Sequence, residues 1–384
     1  MRRALRIPLL VVFVSALTGV ALFPSWVAAQ ARAACVLVSM LEPPLLAGAL
    51  RLATREPVLE DRPIAGVPSV VARPVGDGPW PTIVFANGAT PEGRHHPVVL
   101  RLARGFARAG FVVYVPELPG LRVGEVAPES LEATIGVARA AADGARGGRV
   151  GLVGVSTGGS LALRAAQDPA LHGRVSGVSA VAPYTDIRNV FQLATTGTYR
   201  EGEDVRAYEP AEGYLALVAA RSLVRLLPEG PDRERMSTAL RAVSDTDPDP
   251  LAVLDRLDRQ TSSADADAVI TLLANRDPHR FDELWKALPT STREGMESIS
   301  PASGRRPIDA PVELVTAPRD KYFPVAELTT PRLSERHRVT VTGALQHGDP
   351  TVSLSRLGDL ARLDAFVVRS LRTAARQSAA PRSD

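Results

Sequence analysis

The stretch Arg149-Val150-Gly151-Leu152-Val153-Gly154-Val155-Ser156-Thr157-Gly158-Gly159 constrains the fold more than any other part of the chain. Val150 to Val153 is a short apolar run that reads as a buried strand. The chain then turns through Gly154, Ser156 and Gly158. It continues as Ser160-Leu161-Ala162-Leu163-Arg164-Ala165-Ala166, which has helical composition. A serine on so sharp a turn needs neighbours without side chains, so that strand and helix can close around it. Its hydroxyl then points up from a sheet edge, and the helix N-terminus behind it favours negative charge.

The rest of the chain supplies the sheet that such a turn needs. Apolar strands are predicted at Val67 to Arg73, Thr82 to Ala86, Phe111 to Val115 and Val175 to Val181. Helices are predicted between them at Val98 to Ala109 and Leu131 to Ala142. Buried strands alternating with helices imply a mostly parallel sheet covered on both faces. From 186 to 300 no buried-strand run appears. The apolar spacing there predicts short helices around Phe191 to Ala194, Tyr214 to Leu227, Met236 to Val243, Leu251 to Leu257, Ala266 to Ala274 and Phe281 to Leu288. The sheet resumes at Pro311 to Thr316 and Arg338 to Val341, and a last amphipathic helix spans Leu354 to Thr373. The expected organisation is a core first part over 67–185, an all-helical cap insertion over 186–300, a core second part over 301–373 and a disordered tail over 374–384.

The N-terminal region has its own logic. Arg2, Arg3 and Arg6 precede a run with no charged residue until Arg32. A basic start followed by a long apolar run marks residues 1–34 as a signal peptide or a membrane anchor, and places the protein outside the cytoplasm. Ala29-Gln30-Ala31 is a small-x-small cleavage site, yet the uncharged span is also long enough to cross a bilayer. Cys35 is a poor lipoprotein cysteine, because Arg32 stands where an apolar residue is expected. Residues 35–66, with Pro43-Pro44, Pro57 and Pro63, read as a connector. Apolar residues within it, from Val36 to Leu52, predict a short helix lying on the domain or on a membrane surface.

Composition excludes several classes. The formal charge is +3 from 45 basic and 42 acidic residues, and Lys286 and Lys321 are the only lysines. The arginines are interleaved with acids, with no basic stripe studded by aromatics, so no nucleic-acid partner is expected. Cys35 is the only cysteine, which excludes an internal disulfide and a cysteine-based metal cluster. The motifs of phosphate-binding loops, dinucleotide folds, zinc peptidases and calcium loops are missing from the sequence. No metal and no organic cofactor is expected.

The turn Gly154-Val155-Ser156-Thr157-Gly158, set between strand and helix, resembles the nucleophile elbow of the α/β-hydrolase superfamily, with Ser156 at the nucleophile position. The resemblance covers about Val67 to Thr373 and implies an α/β-hydrolase fold. Its overall plan is similar to extracytoplasmic or membrane-anchored bacterial hydrolases of the dienelactone-hydrolase-like kind, with serine as nucleophile. The order it implies is nucleophile, acid, histidine, each past the C-terminal end of a strand. Asp320, in Ala317-Pro318-Arg319-Asp320-Lys321-Tyr322-Phe323-Pro324, stands at the acid position. Asp186, at the end of the preceding strand, is the alternative acid. His347, in Gln346-His347-Gly348, stands where the base is expected. The oxyanion donors implied are the backbone N–H groups of Thr157 and Ala89. Ala89 belongs to Asn87-Gly88-Ala89, which resembles the superfamily's His-Gly-x with asparagine in place of histidine.

The function implied is hydrolysis of a small-molecule acyl or ester substrate through an acyl-enzyme. A peptidase, a thioesterase or an acyltransferase would use the same groups. A non-catalytic binding protein on the same fold is the competing class. The insertion is expected to lie over Ser156, exclude water and limit the acyl group that enters.

Overall fold

The apolar runs around the serine turn become the middle of one sheet. The computed structural model describes residues 24–209, 213–258, 263–329, 333–347, 349–350 and 357–376. Two helices come first, α1 (Pro24–Leu41) and α2 (Pro44–Ala53), then the hairpin β1 (Val58–Ile64) and β2 (Val67–Arg73). Strands and helices alternate next: β3 (Thr82–Ala86), α3 (Pro97–Arg108), β4 (Val112–Pro116), α4 (Pro128–Gly144), β5 (Val150–Val155), α5 (Thr157–Ala166) and β6 (Val175–Val181). The following region holds α6 (Ile187–Thr196), β7 (Thr198–Glu201), β8 (Asp204–Ala207), α7 (Tyr214–Arg225), α8 (Pro231–Arg241), α9 (Leu254–Asp258), α10 (Ala264–Ala274), α11 (Phe281–Ala287) and α12 (Thr290–Ser298). The chain then returns through β9 (Val312–Thr316), α13 (Ala326–Thr329), β10 (His337–Val341), the short pair β11 (Leu345–Gln346) and β12 (Asp349–Pro350), and α14 (Leu357–Ala374).

The sheet order is β1-β2-β4-β3-β5-β6-β9-β10. The pairs from β4 to β10 are parallel, and the β1, β2 and β4 edge is antiparallel. β3 and β9 are buried at every position, as strands covered on both faces must be. Val84, Leu152 and Val178 face a core closed by α4, α5 and the inserted helices. Ile83, Phe85 and Val113 face the other core, closed by α1, α3 and α14. Register sets the level of the loops that matter. Ala86 pairs with Gly154, Val155 with Val181, and Val181 with Val315, so four strands end together along one edge.

Three expectations need correction. The sheet begins at Val58 rather than Val67. β1 is an edge strand carrying Glu60, Asp61, Arg62 and Pro63, and it needs only one partner, so no apolar run marks it. The insertion is not all-helical. β7 and β8 form a hairpin with Gly202 at φ +63° in its turn. β8 is exposed at every position, so there was no alternation to read. The segment 35–66 is more than a connector, since it holds the end of α1, all of α2 and β1. The expected tail falls mostly outside the described residues, as do residues 351–356 at the predicted start of the last helix.

α1 is wedged between α3 and α14. Ala29, Ala33 and Val36 are buried there, and a Cβ on Gly105 of α3 would stand 3.1 Å from the Val36 backbone. Small residues on both helices allow this close crossing. Among the described residues no helix is long and apolar enough to cross a membrane.

Candidate active site

The elbow is built from backbone. Ser156 has φ +52° and ψ −129°, a conformation that L residues rarely adopt. Its N–H donates to Val181 O at 2.8 Å, which ties the turn to β6. A Cβ on Gly158 would collide with the carbonyl oxygens of Ala86 and Asn87, and one on Gly154 would collide with Gly158. These two glycines let α5 start directly above the sheet, with Ser156 at its N-terminus.

Two loops from later strands meet this serine. His347 sits in the turn between β11 and β12, at φ +49°. Its Nε2 lies 2.9 Å from Ser156 Oγ, and its Nδ1 lies 2.7 Å from Asp320 Oδ1. Asp320 follows β9, and its side chain is wholly buried. Its Oδ1 also accepts from the N–H groups of Tyr322 at 2.9 Å and Phe323 at 3.1 Å. Those two bonds hold the carboxylate in place independently of the histidine. Tyr208 OH, from the insertion, donates to the backbone carbonyls of Asp320 and Phe323 and braces the same loop.

The alternative acid makes a different set of hydrogen bonds. Asp186 caps α6, accepting from Arg188 N–H at 2.9 Å. Burial pushes its pKa up. Glu327 of α13 lies beside it, also pushed up by burial, and accepts from the N–H groups of Thr185 and Asp186, each at 3.1 Å. Glu327 thus ties the loop after β6 to the segment beyond Asp320. Nothing in its sequence neighbourhood marked it, because Val325-Ala326-Glu327-Leu328 reads as an ordinary helical turn with a solvated acid.

Ser156, Thr157, Ala89 and His347 all line one cavity of about 280 Å³. Gly88 runs against the serine, since a Cβ there would stand 3.3 Å from Ser156 Cβ. The backbone of the loop after β3 therefore runs beside the Ser156 side chain. The insertion closes the cavity with Tyr214, Leu215 and Val218 of α7. Tyr214 OH donates to Ala89 O at 3.3 Å, so the insertion touches the candidate oxyanion loop directly. Phe191, Tyr199 and Trp285 are buried in the core of the insertion instead.

Tyr322 is a residue that sequence reading passed over. Its ring meets the His347 ring edge-on, with centroids 4.4 Å apart at 89°. His96 lines the cavity and caps α3, while Arg94 pairs with Glu117 at 2.8 Å and both stay out of the cavity lining. Among the described residues no group of His, Cys, Asp and Glu could hold a metal ion.

Comparison with known proteins places this architecture. The model of the alpha/beta hydrolase family matches residues 83–353, which spans the sheet from β3 through the histidine turn. No curated protein matches the chain. Among solved structures, it is similar to the hyperthermophilic esterase from the archaeon Pyrobaculum calidifontis, at 17% identity over 85% of this chain and 88% of that one, with a TM-score of 0.46. It is also similar to the rice cell wall degrading esterase LipA from Xanthomonas oryzae, at 16% identity over 80% of this chain and 86% of that one, with a TM-score of 0.46. With a family match over most of its length and a mostly parallel eight-stranded sheet flanked by helices, the chain adopts the α/β-hydrolase fold and belongs to the alpha/beta hydrolase family.

Proposed function

We propose that the protein is a serine hydrolase that cleaves carboxylic esters through an acyl-enzyme. The observation that carries this reading is the unbroken hydrogen-bond chain from Ser156 through His347 to buried Asp320, on a strained turn inside a cavity. Ser156 Oγ attacks the ester carbonyl while His347 Nε2 takes its proton. Asp320 holds Nδ1–H in place, fixes the tautomer and stabilises the imidazolium. The backbone N–H groups of Thr157 and Ala89 receive the developing oxyanion at the N-terminus of α5. His347 then returns the proton to the leaving alkoxide. Water, activated by the same histidine, releases the acid.

A peptidase, thioesterase or acyltransferase shares the first half of this cycle and differs in leaving group or acceptor. Turnover of p-nitrophenyl esters, with amide and thioester counterparts, separates them. Labelling by a fluorophosphonate separates all of them from a non-catalytic binding protein, since only an activated serine reacts.

For location, we propose that the N-terminal segment is retained as an anchor outside the cytoplasm. The support is the run that follows Arg2, Arg3 and Arg6, together with α1. Cleavage after Ala31 would cut α1 and remove Ala29 from its buried seat between α3 and α14. Leu45, Leu46 and Leu52 of α2 are exposed, at 89%, 57% and 92%, and offer a lipid surface a second apolar contact. The expected result is an intact mass that includes the N-terminal segment, in the membrane fraction. A soluble extracytoplasmic form lacking residues through Ala31 defeats the anchor, and a soluble full-length cytoplasmic protein defeats export altogether.

A further inference from the structure

Val153 and Val155 lie on β5, in the interior of the sheet, and Val181 lies on the neighbouring β6. All three face the layer formed by α1, α3 and α14. Such positions in a sheet covered on both faces are ordinarily closed off from solvent. Here all three retain accessible surface. They face a void of about 70 Å³ between the sheet and the three helices. Leu37 and Met40 of α1 close its far side, and among the described residues Ser179 and Ser370 are the only ones in its lining with a polar side chain.

This void adjoins the active-site cavity. Phe85, Leu102 and Val155 line both. Val155 is the residue before the nucleophile. Leu102 lies on α3, whose cap His96 belongs to the active-site lining. Leu102 and Val155 are only half-buried, because each presents surface to open space.

We propose that the void is the distal part of an acyl site, taking the end of a linear alkyl chain whose carbonyl is bound at Ser156. The chain passes between Leu102 and Val155 and lies on the sheet face opposite the inserted helices. The apolar lining selects hydrocarbon, because a polar group there would lose its hydrogen bonds to water. α1 is a wall of the substrate site in this arrangement, which gives the wedge between α3 and α14 a use beyond packing. The proposal rests on the ester-hydrolase reading above. Each methylene that leaves water on entering the void adds roughly fourfold to kcat/KM.

The test measures kcat/KM of the full-length protein for p-nitrophenyl butyrate, octanoate and dodecanoate. Wild type should favour octanoate over butyrate. Ser370→Leu fills the void and should lower the octanoate-to-butyrate ratio at least tenfold. Met40→Ala enlarges it and should move the preference towards dodecanoate, so the two variants must shift in opposite directions. Unchanged ratios in both, or a wild type that favours butyrate, would overturn the subsite while leaving the ester reading intact. Absence of turnover on every ester, with no fluorophosphonate labelling of Ser156, removes the ester reading and the subsite with it.

Discussion

Ser156→Ala is expected to lower kcat for p-nitrophenyl butyrate by roughly 10⁵-fold or more, with the fold intact. The substitution removes one oxygen and leaves the backbone as it was. Alanine at φ +52° is as strained as serine there, so the strain does not change. The N–H of residue 156 still donates to Val181 O, and the two flanking glycines still admit α5. The melting temperature should therefore stay close to wild type while turnover disappears. His347 loses its partner at Nε2 but keeps Asp320 at Nδ1, so the loop between β11 and β12 remains placed. Residual activity within tenfold of wild type, in a sample shown by mass to carry the substitution, would sink the assignment.

How much of this was legible in the sequence follows from where each signal lives. The elbow is local: strand, glycine turn and helix occupy adjacent residues, so the fold class and Ser156 could be read directly. Asp320 and His347 lie far along the chain, and only the resemblance, with its order of nucleophile, acid and histidine past strand ends, made them candidates. Asp186 stood equally near a strand end. What separates the two aspartates is a loop conformation, since the N–H groups of Tyr322 and Phe323 turn Asp320 inward, whereas Asp186 turns back to cap α6. No spacing rule encodes that difference. β1 and the β7–β8 hairpin were missed because strands with exposed faces need no apolar period. α12 was missed for a related reason, since Thr290–Ser298 buries only Thr292 and Met296 and leaves too few apolar positions to show a helical repeat. The role of α1 was hidden differently. Its alanines and apolar residues serve equally well for export and for wedging between two helices, and only the packing against Gly105 shows the second use.

The sharpest test of the site concerns the acid. Asp320→Asn should reduce kcat by roughly 10⁴-fold if this carboxylate orients His347. The geometry leaves the amide no good arrangement. With its oxygen kept on the N–H groups of Tyr322 and Phe323, the new NH₂ replaces Asp320 Oδ2, a buried atom with no hydrogen-bond partner among the described residues. A buried donor left unpaired costs about 1–3 kcal/mol of stability. With the amide flipped, the NH₂ donates to His347 Nδ1 and the two backbone N–H groups lose their acceptor. The proton of the neutral imidazole then sits on Nε2, which can no longer accept from Ser156. The first arrangement keeps Nδ1–H bonded but loses the charge that stabilises the imidazolium, and the second fixes the wrong tautomer, so activity and stability should fall together. Asp186→Asn is the matched control. Asparagine caps a helix about as well as aspartate, so both kcat and stability should stay near wild type. If Asp186→Asn silences the enzyme and Asp320→Asn does not, the acid sits after β6 and the hydrogen bond between His347 and Asp320 is not the one catalysis uses.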